Sequence, residues 1–220
     1  MRTFIFDMDG TLADTMPTHQ LAWDKLMPEL GVTVDRDDFF GWSAGLTNRE
    51  IFPRLLGSNV TVDEINRLSD YKESLFRELY RSQMIAVKGA DTFLQRTSAA
   101  GYRRGVGTAA PPHNVDLVLD GLNLRHHFQT IVCNADVTRG KPDPEIFLLA
   151  AQRLGSRPED CVVFEDAPAG IEAARRAGMT CVVIASTLTR EQIAALDDTR
   201  HVVHVVNDFT DPALTALFAS

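Results

Sequence analysis

An apolar run, Phe4-Ile5-Phe6, stops abruptly in two carboxylates two residues apart, Asp7 and Asp9, followed by Gly10 and Thr11. A short run of β formers closed by a turn signal reads as a buried strand. A strand that releases two acids at its C-terminal end delivers them where open α/β sheets bind ligands. Two neighbouring carboxylates raise each other's pKa and need a proton or a cation between them. A hard ion such as Mg2+, with oxygen ligands and open positions for substrate, meets that need.

The rest of the chain falls into two rhythms. Met16 to Leu30 carries apolar residues at helical spacing and stops at Gly31. Residues Arg36 to Arg81 continue as helix only, punctuated by Gly41, Gly45 and Gly57. From Val87 onward helices alternate with strands. The helix Ala90–Ala100 precedes the strand Tyr102–Gly107, and Asn114–Leu122 precedes Thr130–Cys133. Pro144–Leu154 then precedes Cys161–Phe164, and Gly170–Ala177 precedes Thr180–Ile184. Such alternation predicts a doubly wound parallel sheet, with a last short strand at His201–Val206. The expected fold is α/β: a Rossmann-like core of residues 1–14 and 83–220, interrupted by an all-helical insert at 15–82. An insert of about seventy residues is within ordinary small-domain size.

The balance of charge narrows the partners. A net charge of −8 with no basic run excludes nucleic acid and a membrane surface as expected partners. No apolar stretch is long enough to span a bilayer. The opening residues lack a basic region followed by an apolar core and a cleavage site. Cys133, Cys161 and Cys181 are odd in number, far apart and flanked by apolar residues, which suits buried thiols in a reducing compartment. A cytoplasmic monomer acting on a small molecule is expected.

Four strand ends deliver polar groups. They give Asp7 and Asp9, then Thr108, then Lys141 in Gly140-Lys141-Pro142-Asp143-Pro144, then Glu165 and Asp166. In a parallel sheet these ends share one edge, so the groups converge on one cleft. A metal held by Asp7, Asp166 and a carbonyl near Asp9 would shield a phosphate dianion from the nearby carboxylates. Asp7 can then attack phosphorus as a nucleophile. Asp9 can protonate the leaving alkoxide and later deprotonate water. Thr108 can donate to a phosphoryl oxygen, with N–H groups of the following helix N-terminus, Ala109 beside it, binding substrate. Lys141 adds a fixed positive charge. Each residue also has an ordinary reading: Thr108 suits a helix cap, Asp143 a helix start, His19 a satisfied helix histidine, and Arg49 a pair with Glu50. Trp23 and Trp42 suit the core of the insert, and His113, His126 and His127 the surface.

Asp7-Met8-Asp9-Gly10-Thr11, Thr108, Gly140-Lys141-Pro142-Asp143-Pro144 and Phe164-Glu165-Asp166-Ala167-Pro168-Ala169-Gly170, in that order, resemble the motifs of the haloacid dehalogenase superfamily. The likeness is to its phosphatase and β-phosphoglucomutase branch and covers essentially the whole chain. It implies a helical cap inserted after the first motif. It also implies Asp7 as nucleophile and Asp9 as acid/base, with Thr108 and Lys141 as supports. Asp166 becomes a Mg2+ ligand beside Asp7 and the Asp9 position, and Glu165 either a further ligand or a support. Dehalogenases of this superfamily lack an acid two residues after the nucleophile, so Asp9 points to phosphoryl transfer. His19 fits a position shared by mutases and many phosphatases. Gly45-Leu-Thr-Asn-Arg49-Glu50 is the candidate substrate loop. β-Phosphoglucomutase has a Lys before that Gly and an Arg three residues after it; here Ala44 and Asn48 stand there, with Arg49 one place later. The expected function is a Mg2+-dependent phosphomonoesterase acting through an aspartyl phosphate on a small phosphorylated metabolite, a sugar phosphate first. A hexose-phosphate mutase is the alternative, and a non-catalytic phosphometabolite-binding protein the second.

Overall fold

The first strand, β1, is short because it needs only to reach the middle of a sheet. It spans Thr3–Phe6 in the computed structural model, which describes residues 2–218. Four helices follow: α1 (Met16–Glu29), α2 (Arg36–Ser43), α3 (Asn48–Leu56) and α4 (Val62–Tyr80). Helices and strands then alternate through α5 (Ala90–Ala99), β2 (Arg103–Gly107), α6 (Pro112–Gly121), β3 (Thr130–Val132) and α7 (Glu145–Arg153). The series closes with β4 (Cys161–Glu165), α8 (Pro168–Arg176), β5 (Thr180–Ile184), α9 (Arg190–Ala194) and β6 (Val202–Val206).

The six strands form one sheet in the order β3-β2-β1-β4-β5-β6, every pairing parallel. Strand order reverses at β1, whose neighbours are β2 and β4. This is the topological switch point at which open α/β sheets bind ligands. Phe6 is in register with Val106 of β2 and Phe164 of β4. Asp7, Thr108 and Glu165 therefore emerge close together at one edge.

Both sheet faces are covered, which is why its strands are continuously apolar rather than alternating. Phe4 and Phe6 point into one cluster with Phe93, Phe164 and Phe209, while Ile5 points into the other with Val163, Phe147 and Val183. The first cluster is largely aromatic: Phe164 stacks on Phe6 at 4.6 Å and meets Phe93 edge-on at 5.4 Å. The helical insert has its own core, in which Trp23 packs against Phe39 and Phe52 beside Leu26 and Ile51.

The alternating elements match the sequence reading to within two or three residues. The tail differs: α9 and a 3-10 turn at Pro212–Phe218 were not anticipated, and Leu214 and Leu217 of that turn are buried in the aromatic cluster. Its apolar residues are too few to declare a period, and only the sheet face explains their burial. His127, expected at the surface, is buried and bonded to Asp91 at 2.9 Å. No helix among the described residues is long and apolar enough to cross a membrane. Phe164→Ala is expected to cost about 3–5 kcal/mol, because it opens the aromatic cluster at its centre. Urea unfolding of the variant against the parent measures it.

Candidate active site

The loop after β1 folds tightly so that Asp7 and Asp9 face one cavity. Gly10 adopts φ +79°, and a Cβ there would lie 2.1 Å from Asp166 Oδ2. Only glycine gives both the left-handed turn and room for that carboxylate. The Asp7 N–H donates to Phe164 O at 2.9 Å, which extends the β1–β4 ladder as far as Asp7.

Lys141 is 1% exposed, and its ammonium donates to Asp7 Oδ1 at 2.5 Å and Glu165 Oε1 at 2.6 Å. The other Glu165 oxygen accepts the N–H groups of Asp166 and Ala167 at 2.8 and 2.9 Å. Both Glu165 oxygens are thus already engaged by hydrogen bonds. Of the two roles the sequence allowed, the geometry favours support of Lys141 over direct ligation. A Cβ at Gly170 would fall 1.7 Å from Glu165 Oε1, so that glycine makes the room. Asp166 accepts from Thr11 at 3.1 Å and from the Thr187 hydroxyl, while Ser186 donates to Gly10 O at 2.5 Å.

Three buried carboxylates, Asp7, Glu165 and Asp166, face one buried ammonium. Burial, followed by Glu165, pushes the Asp166 carboxyl up to about 8. Burial also raises Asp7 well above the usual carboxylate range, with Lys141 opposing and Glu165, Asp166 and Asp9 adding to it. Burial works against the Lys141 ammonium, but Asp7 and Glu165 outweigh it and hold the group above the ordinary lysine range. With Asp7, Glu165 and Asp166 all ionised against Lys141, two negative charges are left over, which one divalent cation would balance, and all the donors are hard oxygens. Among the described residues no three His, Cys, Asp or Glu side chains cluster as a complete cage. A Mg2+ ion fits such a sparse set, because it keeps several waters and takes few protein ligands.

The cavity above these groups is lined from both the sheet edge and the insert and has a volume of about 1220 Å³. Asp9, His19, Arg49, Thr108, Ala109 and Asp166 all line it. Asp9 Oδ1 is buried with no hydrogen bond and lies 3.4 Å from His19 Nε2. His19 lies flat on Phe76, rings 3.9 Å apart. Arg49 is exposed, and its side chain makes no hydrogen bond or ion pair to another described residue. Thr108 is buried and accepts the Ala110 N–H at 3.1 Å. The helix N-terminus behind it is poorer in donors than expected, because Pro111 and Pro112 lack N–H groups. Asp143 accepts the Glu145 N–H at 3.0 Å and so starts α7, the structural role.

Several cavity residues escaped the sequence reading. Lys72 of α4 is buried, with its ammonium 2.8 Å from His19 Nδ1 and 2.9 Å from Glu73 Oε1. Asn48 and Asn114 also donate to Glu73, at 2.8 and 2.6 Å. No local pattern marks these residues, since they meet only through tertiary packing. Thr187 had a usable signal, a hydroxyl following the end of β5 on the same sheet edge. The insert meets the motif loops through small groups. A Cβ at Gly45 would lie 3.0 Å from Ala167 Cβ, and one at Gly140 would lie 2.8 Å from Glu50 Oε2.

Residues 1–178 match the haloacid dehalogenase-like hydrolase family model. The chain belongs to this family. It is a hydrolase, with phosphatases among its relatives. It is 36% identical to fructose-1-phosphate phosphatase YqaB of Escherichia coli (strain K12), over 81% of this chain and 93% of that one. It is 32% identical to a phosphorylated carbohydrates phosphatase of Thermotoga maritima, over 81% and 82% of the two chains. Its fold superposes on β-phosphoglucomutase from Clostridium difficile with a TM-score of 0.84 and 26% identity, covering 99% of this chain and 95% of that one.

A carboxyl whose folded pKa lies above its unfolded value costs stability as pH rises through the interval between them. For Asp166 that interval runs from 3.8 to about 8. The metal-free protein should therefore lose thermal stability from about pH 4 to pH 8. Added Mg2+ should raise the melting temperature more near pH 8 than near pH 5, and Asp166→Asn should reduce that difference. Differential scanning calorimetry with and without chelator checks both.

Proposed function

We propose that the protein is a Mg2+-dependent phosphomonoesterase acting on a small sugar phosphate. The observation that carries this reading is the pair of acids at the cavity floor. Asp7 is fixed by Lys141, and Asp9 lies two residues on beside His19. The names of the two phosphatase relatives support the sugar-phosphate class.

Asp7, Asp166 and the carbonyl of Asp9 would hold the metal, which when bound supplies charge neutralisation for the phosphoryl group. Lys141 keeps one Asp7 oxygen in place, which orients the other for in-line attack. As the Asp7–phosphorus bond forms and the bond to the sugar oxygen breaks, Asp9 gives its proton to the departing alkoxide. The product is an aspartyl phosphate on Asp7. Asp9, now ionised, takes a proton from water, whose oxygen attacks the same phosphorus as the Asp7–phosphorus bond breaks, which frees the Asp7 carboxylate and releases inorganic phosphate. Thr108 and the loop at Ala109 donate to phosphoryl oxygens, whose charge is nearly constant through both steps. Cap helices over the cavity limit competing access of bulk water.

Substrate binding falls to His19, Arg49 and the polar lining of the cap. Asn48, in the loop where a mutase would grip a second phosphate, is instead bonded to Glu73. Arg49 is then the one loop cation for a distal anion, which favours a monophosphate hydrolase.

With Mg2+, phosphate release against a panel of sugar phosphates, nucleotides and phosphorylated acids should single out sugar phosphates. Asp7→Asn should abolish turnover, and Asp9→Asn should lower kcat by about 10²- to 10⁴-fold. Release from no phosphomonoester overturns the reading. Interconversion of hexose phosphates on adding a bisphosphate, in place of net release, makes the protein a mutase.

A further inference from the structure

Glu73 sits where the helical cap meets the core, and its two oxygens divide between them. Oε1 accepts from Lys72 and Asn48 of the cap at 2.9 and 2.8 Å, while Oε2 accepts from Asn114 of α6 at 2.6 Å. The same Asn114 amide turns its oxygen to Arg77, which donates at 2.9 Å. Glu73 and Arg77 are one helical turn apart on α4, so they bracket the amide from one face. Asn114 is 0% exposed. Its orientation is fixed by polarity: reversed, it would set donor against donor at Arg77 and leave no donor for Oε2. Burial disfavours the Glu73 carboxylate, but Lys72, His19 and the Asn114 amide outweigh it and hold its pKa at about 2.

This arrangement ties two parts of the site together. Asn114 lies six residues after Thr108, at the start of the helix that follows the phosphate-side loop. Lys72, restrained by Glu73 and lying 5.4 Å over the Trp23 ring, donates to His19 Nδ1. Donation to Nδ1 leaves the imidazole proton on Nε2, the nitrogen that faces Asp9.

We propose that Glu73 and Asn114 form a polarity-matched latch between cap and core, which positions Lys72 only when the cap is seated on α6. Glu73 is a positioning residue: it touches no reacting atom. The latch rests on the phosphatase reading only for its kinetic consequence, since the contact itself belongs to the fold.

A reversed pair tests it. In Glu73→Gln, a side-chain N–H faces the Asn114 N–H, and the latch is lost without loss of volume. In Asn114→Asp, two carboxylates face each other. In the double variant the new amide at position 73 donates to the new carboxylate at position 114. That carboxylate still accepts from Arg77, and the oxygen of the new amide still accepts from Lys72 and Asn48. Each single variant should lower kcat at least about tenfold with a smaller change in KM. The double variant should recover to within about threefold of the parent. Double-variant activity no better than the product of the single effects overturns the latch, as does Glu73→Gln within twofold of the parent. A second readout is independent of catalysis. In a Trp42→Phe background the single remaining tryptophan is Trp23, and its quenching by acrylamide reports the seating of Lys72. Quenching should rise in both singles and return to parental values in the double, and unchanged quenching in the singles overturns the proposal. A parent that hydrolyses no phosphomonoester but shows the quenching pattern overturns the phosphatase reading and leaves the latch standing.

Discussion

A single buried ammonium organises the catalytic edge. A charge taken out of water costs several kcal/mol unless it is paired with good geometry. Lys141 meets that condition by bonding to Asp7 and Glu165 at once, from a loop far away in sequence. Glu165 is held in turn by two backbone N–H groups, and Gly170 leaves the space it occupies. The requirement spreads outward: strand register, the turn at Gly10 and the start of α8 all serve to bring those charges within bonding distance. The same packing leaves more negative than positive charge, so the site carries an electrostatic demand for a cation.

The chain announces the core plainly and the cap's chemistry hardly at all. β1, β4 and β5 are buried on both faces, and their apolar runs are readable without any partner. Asp7, Asp9 and Thr108 were legible because strand ends in a parallel sheet share one edge, and Lys141 because it stands in the Gly140-Lys141-Pro142-Asp143-Pro144 motif. Burial, by contrast, is a property of the packed molecule, so Lys72 and Glu73 read as ordinary charges on an amphipathic helix. Nothing in Tyr71-Lys72-Glu73-Ser74 distinguishes them from the solvated residues nearby. Likewise Asn114 is a commonplace helix-start residue until α4 is laid against it. The two prolines ahead of it were visible, yet their effect on the donor supply emerged only once the helix start was fixed.

Two kinds of chemistry are therefore kept on two kinds of scaffold. Asp7, Thr108, Glu165 and Asp166 project from a sheet edge, where backbone pairing fixes them over a short distance. The polar groups on the other side of the cavity sit on helices that lean over that edge, held by side-chain hydrogen bonds instead of a ladder. Electrostatics joins the two halves: Glu73 contributes an oxygen to each, and His19 brings the cap to the side of Asp9.

The seam of small groups at Gly45, Ala167 and Gly140 bears on how such a protein can change its diet. Substrate preference can drift through the walls of α3 and α4, since side chains there border open space. The seam has less freedom, because at Gly45 an added methyl would press on the Ala167 Cβ and the backbone φ of +80° disfavours any side chain. Laboratory diversification aimed at new phosphate esters would keep more active clones by randomising the cap walls and leaving those three positions untouched. Lineages that retool the pocket should show the same asymmetry, with variable walls above an immovable hinge line.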